Sequence, residues 1–118
     1  MITLDLPWPP SLNRRIPKLG NRSPEVRQWV AEADGLFLAT RSTRRTRGVR
    51  GPFELEMILD QTRRGRSDLD NRGLKVVLDW LQCCELIDND ALAEKITLQW
   101  GEAPEGAIVR IMPWAPAA

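Results

Sequence analysis

The 118-residue sequence contains no histidine and no tyrosine. Their absence excludes imidazole acid/base catalysis, imidazole-ligated zinc and covalent attack through a phenolic oxygen. Any acid/base or metal chemistry falls to Asp, Glu, Lys or Cys. Cysteine is limited to the adjacent pair Cys83 and Cys84, which cannot close a loop and has no partners at metal-ligand spacing. Buried, reduced thiols in a reducing compartment are the expectation. No apolar run approaches the roughly 20 residues of a membrane-spanning helix. The opening MITLDLPWPP also lacks the basic-then-apolar layout of a signal peptide. A cytoplasmic protein is therefore expected.

Hydrophobic content of 42% with 28% charged residues argues for a folded chain, and 118 residues suffice for a single core, so one domain over 1–118 is expected. The net charge of +1 conceals an asymmetry. Residues 1–66 hold 13 Lys/Arg against 7 Asp/Glu, and residues 67–118 hold 4 against 9. A half at +6 beside a half at −5 suggests a surface that attracts a polyanion next to a site that holds cations.

Ile2 to Leu6 alternate as a short strand, which prolines 7, 9 and 10 stop by fixing φ and removing donors. A polar loop with Asn13, Arg14, Arg15, Lys18 and Arg22 follows, with side chains suited to phosphate contacts. Ser23-Pro24-Glu25 then opens a helix over about 24–41, in which Val26, Trp29, Val30, Ala33 and Phe37 mark a core-facing stripe. Arg41, Arg44, Arg45, Arg47 and Arg50 crowd the next ten residues with no acid among them, an arrangement that favours an anionic partner. Phe53, Leu55, Met57 and Leu59 alternate with Glu54, Glu56 and Asp60 as a half-buried strand. A basic turn with Arg63, Arg64 and Arg66 leads to a helix starting near Asp68 or Asp70, whose stripe is Leu74, Val77, Leu78 and Leu81. After the turn at Asp88 and Asp90, Lys95–Trp100 and Ala107–Met112 read as strands paired in a hairpin. The expected fold is α/β in the α+β sense: a small mixed sheet with two helices packed on it, in the order β-α-β-α-β-β.

The acids carry the chemistry. Asp68 and Asp70 stand two apart at a strand-to-helix junction, where both side chains reach one point. Helix capping accounts for one of them but not for the return of Asp88 and Asp90 at the helix's far end. Each close carboxylate pair costs roughly 1–4 kcal/mol, so a cluster implies a cation, and oxygen-only ligands favour Mg²⁺ or Mn²⁺. Asp68, Asp70, Gly73 and Asp79 also fall at positions 1, 3, 6 and 12 of a calcium loop, but Arg72 occupies position 5 and the helical stripe has begun by Leu74.

PWPPSLNR near the N-terminus, an Arg-rich turn into DLDN, the lysine-bearing helix and LIDND before an alternating strand together resemble the RusA family of Holliday-junction resolvases. The resemblance runs from about Ile2 to Trp100. It implies a homodimeric, RusA-like Mg²⁺-dependent endodeoxyribonuclease that binds four-way or other branched DNA and makes paired symmetric nicks in recombination and repair. Neither a membrane nor a small-molecule cofactor is expected. Asp68, Asp70 and Asp90 become the catalytic, metal-binding acids and Lys75 the essential lysine. Asp88 is a supporting acid beside them. Asn13, Arg14, Arg63, Arg64 and Arg66 would hold backbone phosphates. In the family the lysine commonly follows the second Asp by four residues. Here Lys75 follows Asp70 by five, so the extra residue, Gly73, requires a bulge or a later helix start. The competing reading is a non-catalytic, structure-selective DNA-binding module whose acids only cap a helix.

Overall fold

The computed structural model describes residues 1–10, 24–41, 48–64 and 73–114. Within them β1 (Ile2–Pro7), α1 (Pro24–Arg41), β2 (Phe53–Asp60), α2 (Leu74–Cys83), β3 (Ala93–Gly101) and β4 (Gly106–Pro113) follow one another. The four strands form one mixed sheet in the order β1-β4-β2-β3. β4 runs antiparallel to both β1 and β2, while β3 is parallel to β2.

Period-two patterning directs one face of this sheet into the core. Leu4, Leu6, Phe53, Leu55, Met57, Leu59, Ala107, Val109 and Ile111 are buried there with Trp29, Ala33 and Phe37 of α1 and Val77, Trp80 and Leu81 of α2. The two helices also meet each other: the Trp80 ring lies edge-on to Trp29 and Phe37, at 6.1 and 5.6 Å between centroids. Two polar contacts fix α1. Trp29 Nε1 donates to the Pro7 carbonyl at 2.9 Å, and Trp80 Nε1 donates to Asp34 at 2.9 Å. The opposite sheet face carries cross-strand ion pairs, Arg110 with Glu56 at 2.6 Å and Lys95 with Glu54 at 3.7 Å.

The expected hairpin of the last two strands does not form. β2 lies between β3 and β4 and pairs with both. Stepping over one strand means covering two inter-strand spacings, about 10 Å. The four residues between Gly101 and Gly106 reach that far, at up to about 3.3 Å each.

The second helix also starts later than the acids suggested. Its N-cap is Gly73, at φ 64 and ψ 20, a left-handed conformation that no helix continues through. A glycine is required there twice over, since a Cβ would sit 2.6 Å from Pro9 Cβ and 2.7 Å from the Pro10 carbonyl oxygen. Gly73 thus stands outside the helix, and Lys75 falls in its first turn. Because residues 74–79 are helical, the calcium-loop alternative fails.

The cysteines differ from expectation as well. Cys83, the last residue of α2, is exposed, and Cys84 is half-buried against the core. No helix among the described residues is long and apolar enough to cross a membrane.

Candidate active site

Lys75, Asp79 and Gln82 stand at i, i+4 and i+7 of α2 and so share one face of the helix. The turn that leads into β3 lies along that face. Lys75 Nζ donates to Asp90 Oδ2 at 2.6 Å and also pairs with Asp79 Oδ1 at 3.1 Å. Gln82 Oε1 accepts from the Asp90 backbone N–H at 3.2 Å. Asn89 caps the short 3-10 turn Asp90–Leu92 through its side chain, accepting from the Ala91 N–H at 2.8 Å. Asp90 is therefore held from both sides, by its backbone and by its carboxylate. The hydrogen bond from Lys75 keeps the Asp90 carboxyl below the usual carboxylate range. The same bond, with help from Asp79, raises the Lys75 ammonium above its ordinary value. At neutral pH both are charged. Of the acids and the lysine singled out from sequence, Lys75, Asp88 and Asp90 fall among the described residues, and the structure brings Lys75 and Asp90 together. Asp79 and Gln82 were missed, although their helical spacing from Lys75 was visible.

Asp88 turns elsewhere. Its carboxylate accepts from Arg50 Nη1 at 2.6 Å and from the Gly51 N–H at 2.8 Å, while Arg50 Nη2 donates to the Glu85 carbonyl at 3.2 Å. A parallel bridge between Val49 and Ile87 runs beside these bonds, with the Val49 N–H donating to the Leu86 carbonyl at 2.8 Å. Asp88 thus ties the segment before β2 to the turn after α2, and it supplies the counter-charge that Arg50 lacks in its own stretch of sequence. The Gly51 N–H, then Arg50, hold the Asp88 carboxyl below its ordinary value. A depressed folded pKa contributes stability above the unfolded value near 3.9, and that contribution fades as pH falls toward the folded value. The wild-type melting temperature should therefore hold steady down to about pH 5 and drop below about pH 4. Asp88→Asn should melt a few degrees lower at neutral pH and show a shallower acid decline, as followed by circular dichroism.

Asp60 ends β2 as a buried carboxylate. It accepts from Thr62 Oγ1 at 2.7 Å, from the Thr62 N–H at 2.9 Å and from Arg63 Nε at 3.1 Å. The two Thr62 bonds, with Arg63 behind them, lower its pKa. Arg63 is thereby aimed along a surface groove that it lines with Pro7, Trp8, Glu32, Gly35, Leu36 and Glu105. Arg64 instead lies over the Trp100 ring, 5.3 Å from its centroid.

Asn13, Arg14, Arg66, Asp68 and Asp70 lie outside the described residues, as do Arg44, Arg45 and Arg47 and the Ser23 cap. Among the described residues no three His, Cys, Asp or Glu side chains gather as a metal would require. What the described part offers is a pair of carboxylates, Asp79 and Asp90, converging on one cationic nitrogen. Carboxylate oxygen is the donor type a hard divalent cation takes, so Asp90 fits as one ligand of such an ion.

No protein-family model matches the chain, and no curated protein is similar to it.

Proposed function

We propose that the chain is a Mg²⁺-dependent endodeoxyribonuclease that resolves four-way DNA junctions by paired nicks, working in the cytoplasm as a RusA-like homodimer. The observation that carries this reading is the Lys75–Asp90 contact. Two residues 15 apart in sequence, singled out by motif alone, meet at 2.6 Å on the surface between α2 and the turn into β3, with Lys75 exposed and Asp90 half-buried. Two side chains of α2 thus position Asp90, Lys75 at its carboxylate and Gln82 at its backbone N–H.

In this reading Asp68, Asp70 and Asp90 hold Mg²⁺ or Mn²⁺. When bound, the ion supplies an acidified water and positive charge for the leaving oxygen. The protein's own contribution is positional. Asp90, an ionised carboxylate held in place by Lys75 and Gln82, is a ready ligand at neutral pH. Lys75, kept protonated, places a positive charge where negative charge gathers on a phosphate under attack. Asp79 remains as its second anchor once Asp90 is shared with a cation. Arg63 and Arg64, with Asn13, Arg14 and Arg66, hold the sugar-phosphate backbone, so recognition rests on junction shape. A two-fold substrate suits an isologous dimer.

The test is a labelled four-way junction incubated with Asp70→Asn in Mg²⁺. Nicking should vanish while the gel shift stays equal or tightens, because a negative charge near phosphate is removed. Cleavage by this variant at the parental rate would contradict the reading.

A further inference from the structure

Two of the five tryptophans, Trp29 and Trp80, are buried in the core. Trp8 and Trp100 are not: both are half-buried, and they stack on each other at 6.2 Å between centroids and 25° between planes. They sit at the end of the sheet where β1 and β3 finish. Trp8 is held there by Gly106, whose φ of 133 and missing Cβ let the Trp8 backbone nitrogen approach within what would be 2.1 Å of a side chain. Trp100 is held by its register beside the buried Leu59. Arg64 completes the group. Its backbone N–H closes the 3-10 turn on the Gln61 carbonyl, and its guanidinium lies over Trp100. Arg63 is claimed by Asp60, but no carboxylate among the described residues pairs with Arg64.

Two part-exposed indoles packed against the core, with a planar cation over one of them that pairs with no carboxylate among the described residues, bring together the elements of a base-stacking platform: aromatic surface, planar guanidinium and a positive charge for the strand's phosphates. The adjoining groove strengthens the assignment. Glu32 and Glu105 in its wall repel phosphate but accept hydrogen bonds from the amino groups of bases, so the charge pattern suits a base directed inward and phosphate kept at the rim.

We propose that Arg64, Trp100 and Trp8 form a stacking site for an unpaired nucleobase of a DNA strand. The proposal builds on the nuclease reading and gives it a source of structure selectivity. β3 separates the platform from the Asp90 turn by the seven residues from Ala93 to Trp100, roughly 23 Å at the usual rise. That is about seven nucleotides of B-form strand. The stacked base therefore lies well away from the cut. In continuous duplex every base is already stacked and paired, whereas a branch point leaves bases free to splay, so the site favours branched DNA.

The experiment uses a short single-stranded oligonucleotide carrying a fluorescent adenine analogue, titrated with the full chain in EDTA, with junction nicking in Mg²⁺ measured on the same preparations. The analogue's emission should be quenched on binding by the wild type. Trp100→Leu should bind about five-fold or more weakly without quenching, and Trp100→Phe should stay within about two-fold of wild type. Arg64→Gln, an exposed change that leaves the core untouched, should lose affinity and lower the salt dependence by about one counterion. If Trp100→Leu and Arg64→Gln both bind and quench like the wild type, the platform is wrong, whether or not junctions are nicked. If the wild type quenches as described yet never nicks a junction, the stacking site stands and the nuclease reading fails.

Discussion

Gly73→Val should lower the melting temperature by more than about 10 °C. Two costs combine at this position, one of backbone conformation and one of packing. A β-branched residue at φ 64 sits in a backbone region that L-residues enter at roughly 1–2 kcal/mol. Its Cβ would meet Pro9 Cβ at 2.6 Å and the Pro10 carbonyl oxygen at 2.7 Å, neither of which is the free end of a flexible chain. Pro9 is itself fully buried, so relief requires moving the whole turn after β1, an overpacking cost of about 1–3 kcal/mol. Against a total stability of about 5–15 kcal/mol the change is severe. Thermal unfolding followed by circular dichroism checks it, and a Gly73→Val protein that melts within about 2 °C of the parent would show that the turn tolerates a side chain. The consequence reaches the site, because Lys75 begins only two residues further along.

Asp90→Asn should reduce Mg²⁺-dependent junction nicking by about 10²–10³-fold, the size that loss of one preorganised electrostatic group carries. The asparagine keeps the shape and the backbone bond to Gln82, so folding should be spared. What it loses is the charge that Lys75 now holds at 2.6 Å. Lys75 keeps Asp79 at 3.1 Å and so remains anchored in the variant. The defect should therefore appear in turnover and in the Mg²⁺ concentration needed, while junction binding in EDTA stays at the wild-type level. A variant that folds, binds and nicks as the parent does would contradict the proposal that Asp90 is a metal ligand.

Much of the fold was legible in the sequence, and the reasons are local. Val26, Trp29, Ala33 and Phe37 share a phase that only one helix face satisfies, and Phe53 to Asp60 alternate with the pleat of a strand. Pairing was not legible. A period-two pattern declares a strand without naming its neighbour, so Lys95–Trp100 and Ala107–Met112 read as a hairpin although β2 takes the place between them. Nor could the start of α2 be read from Asp68 or Asp70, since the left-handed turn at Gly73 depends on how closely Pro9 and Pro10 approach from a distant part of the chain.

The site divides along the same line. Lys75 and Asp90 were named through motif order, and Asp79 and Gln82 were recoverable from helical spacing. The fate of Asp88 was not, because its partners Arg50 and Gly51 lie nearly 40 residues upstream. The run of arginines that looked free of counter-charge acquires one only when the chain folds. Trp8 and Trp100 are likewise 92 residues apart, and no periodicity announces that they stack.

The most direct measurement of the central claim is the fate of an end-labelled four-way junction incubated with the wild-type chain in Mg²⁺ and, in parallel, in EDTA. A metal-carboxylate nuclease yields symmetrically placed nicks in opposing strands with Mg²⁺ and none in EDTA, while the junction is bound in both. Binding without nicks under either condition, with affinity that falls steeply as salt rises, would contradict it and leave a DNA-binding module.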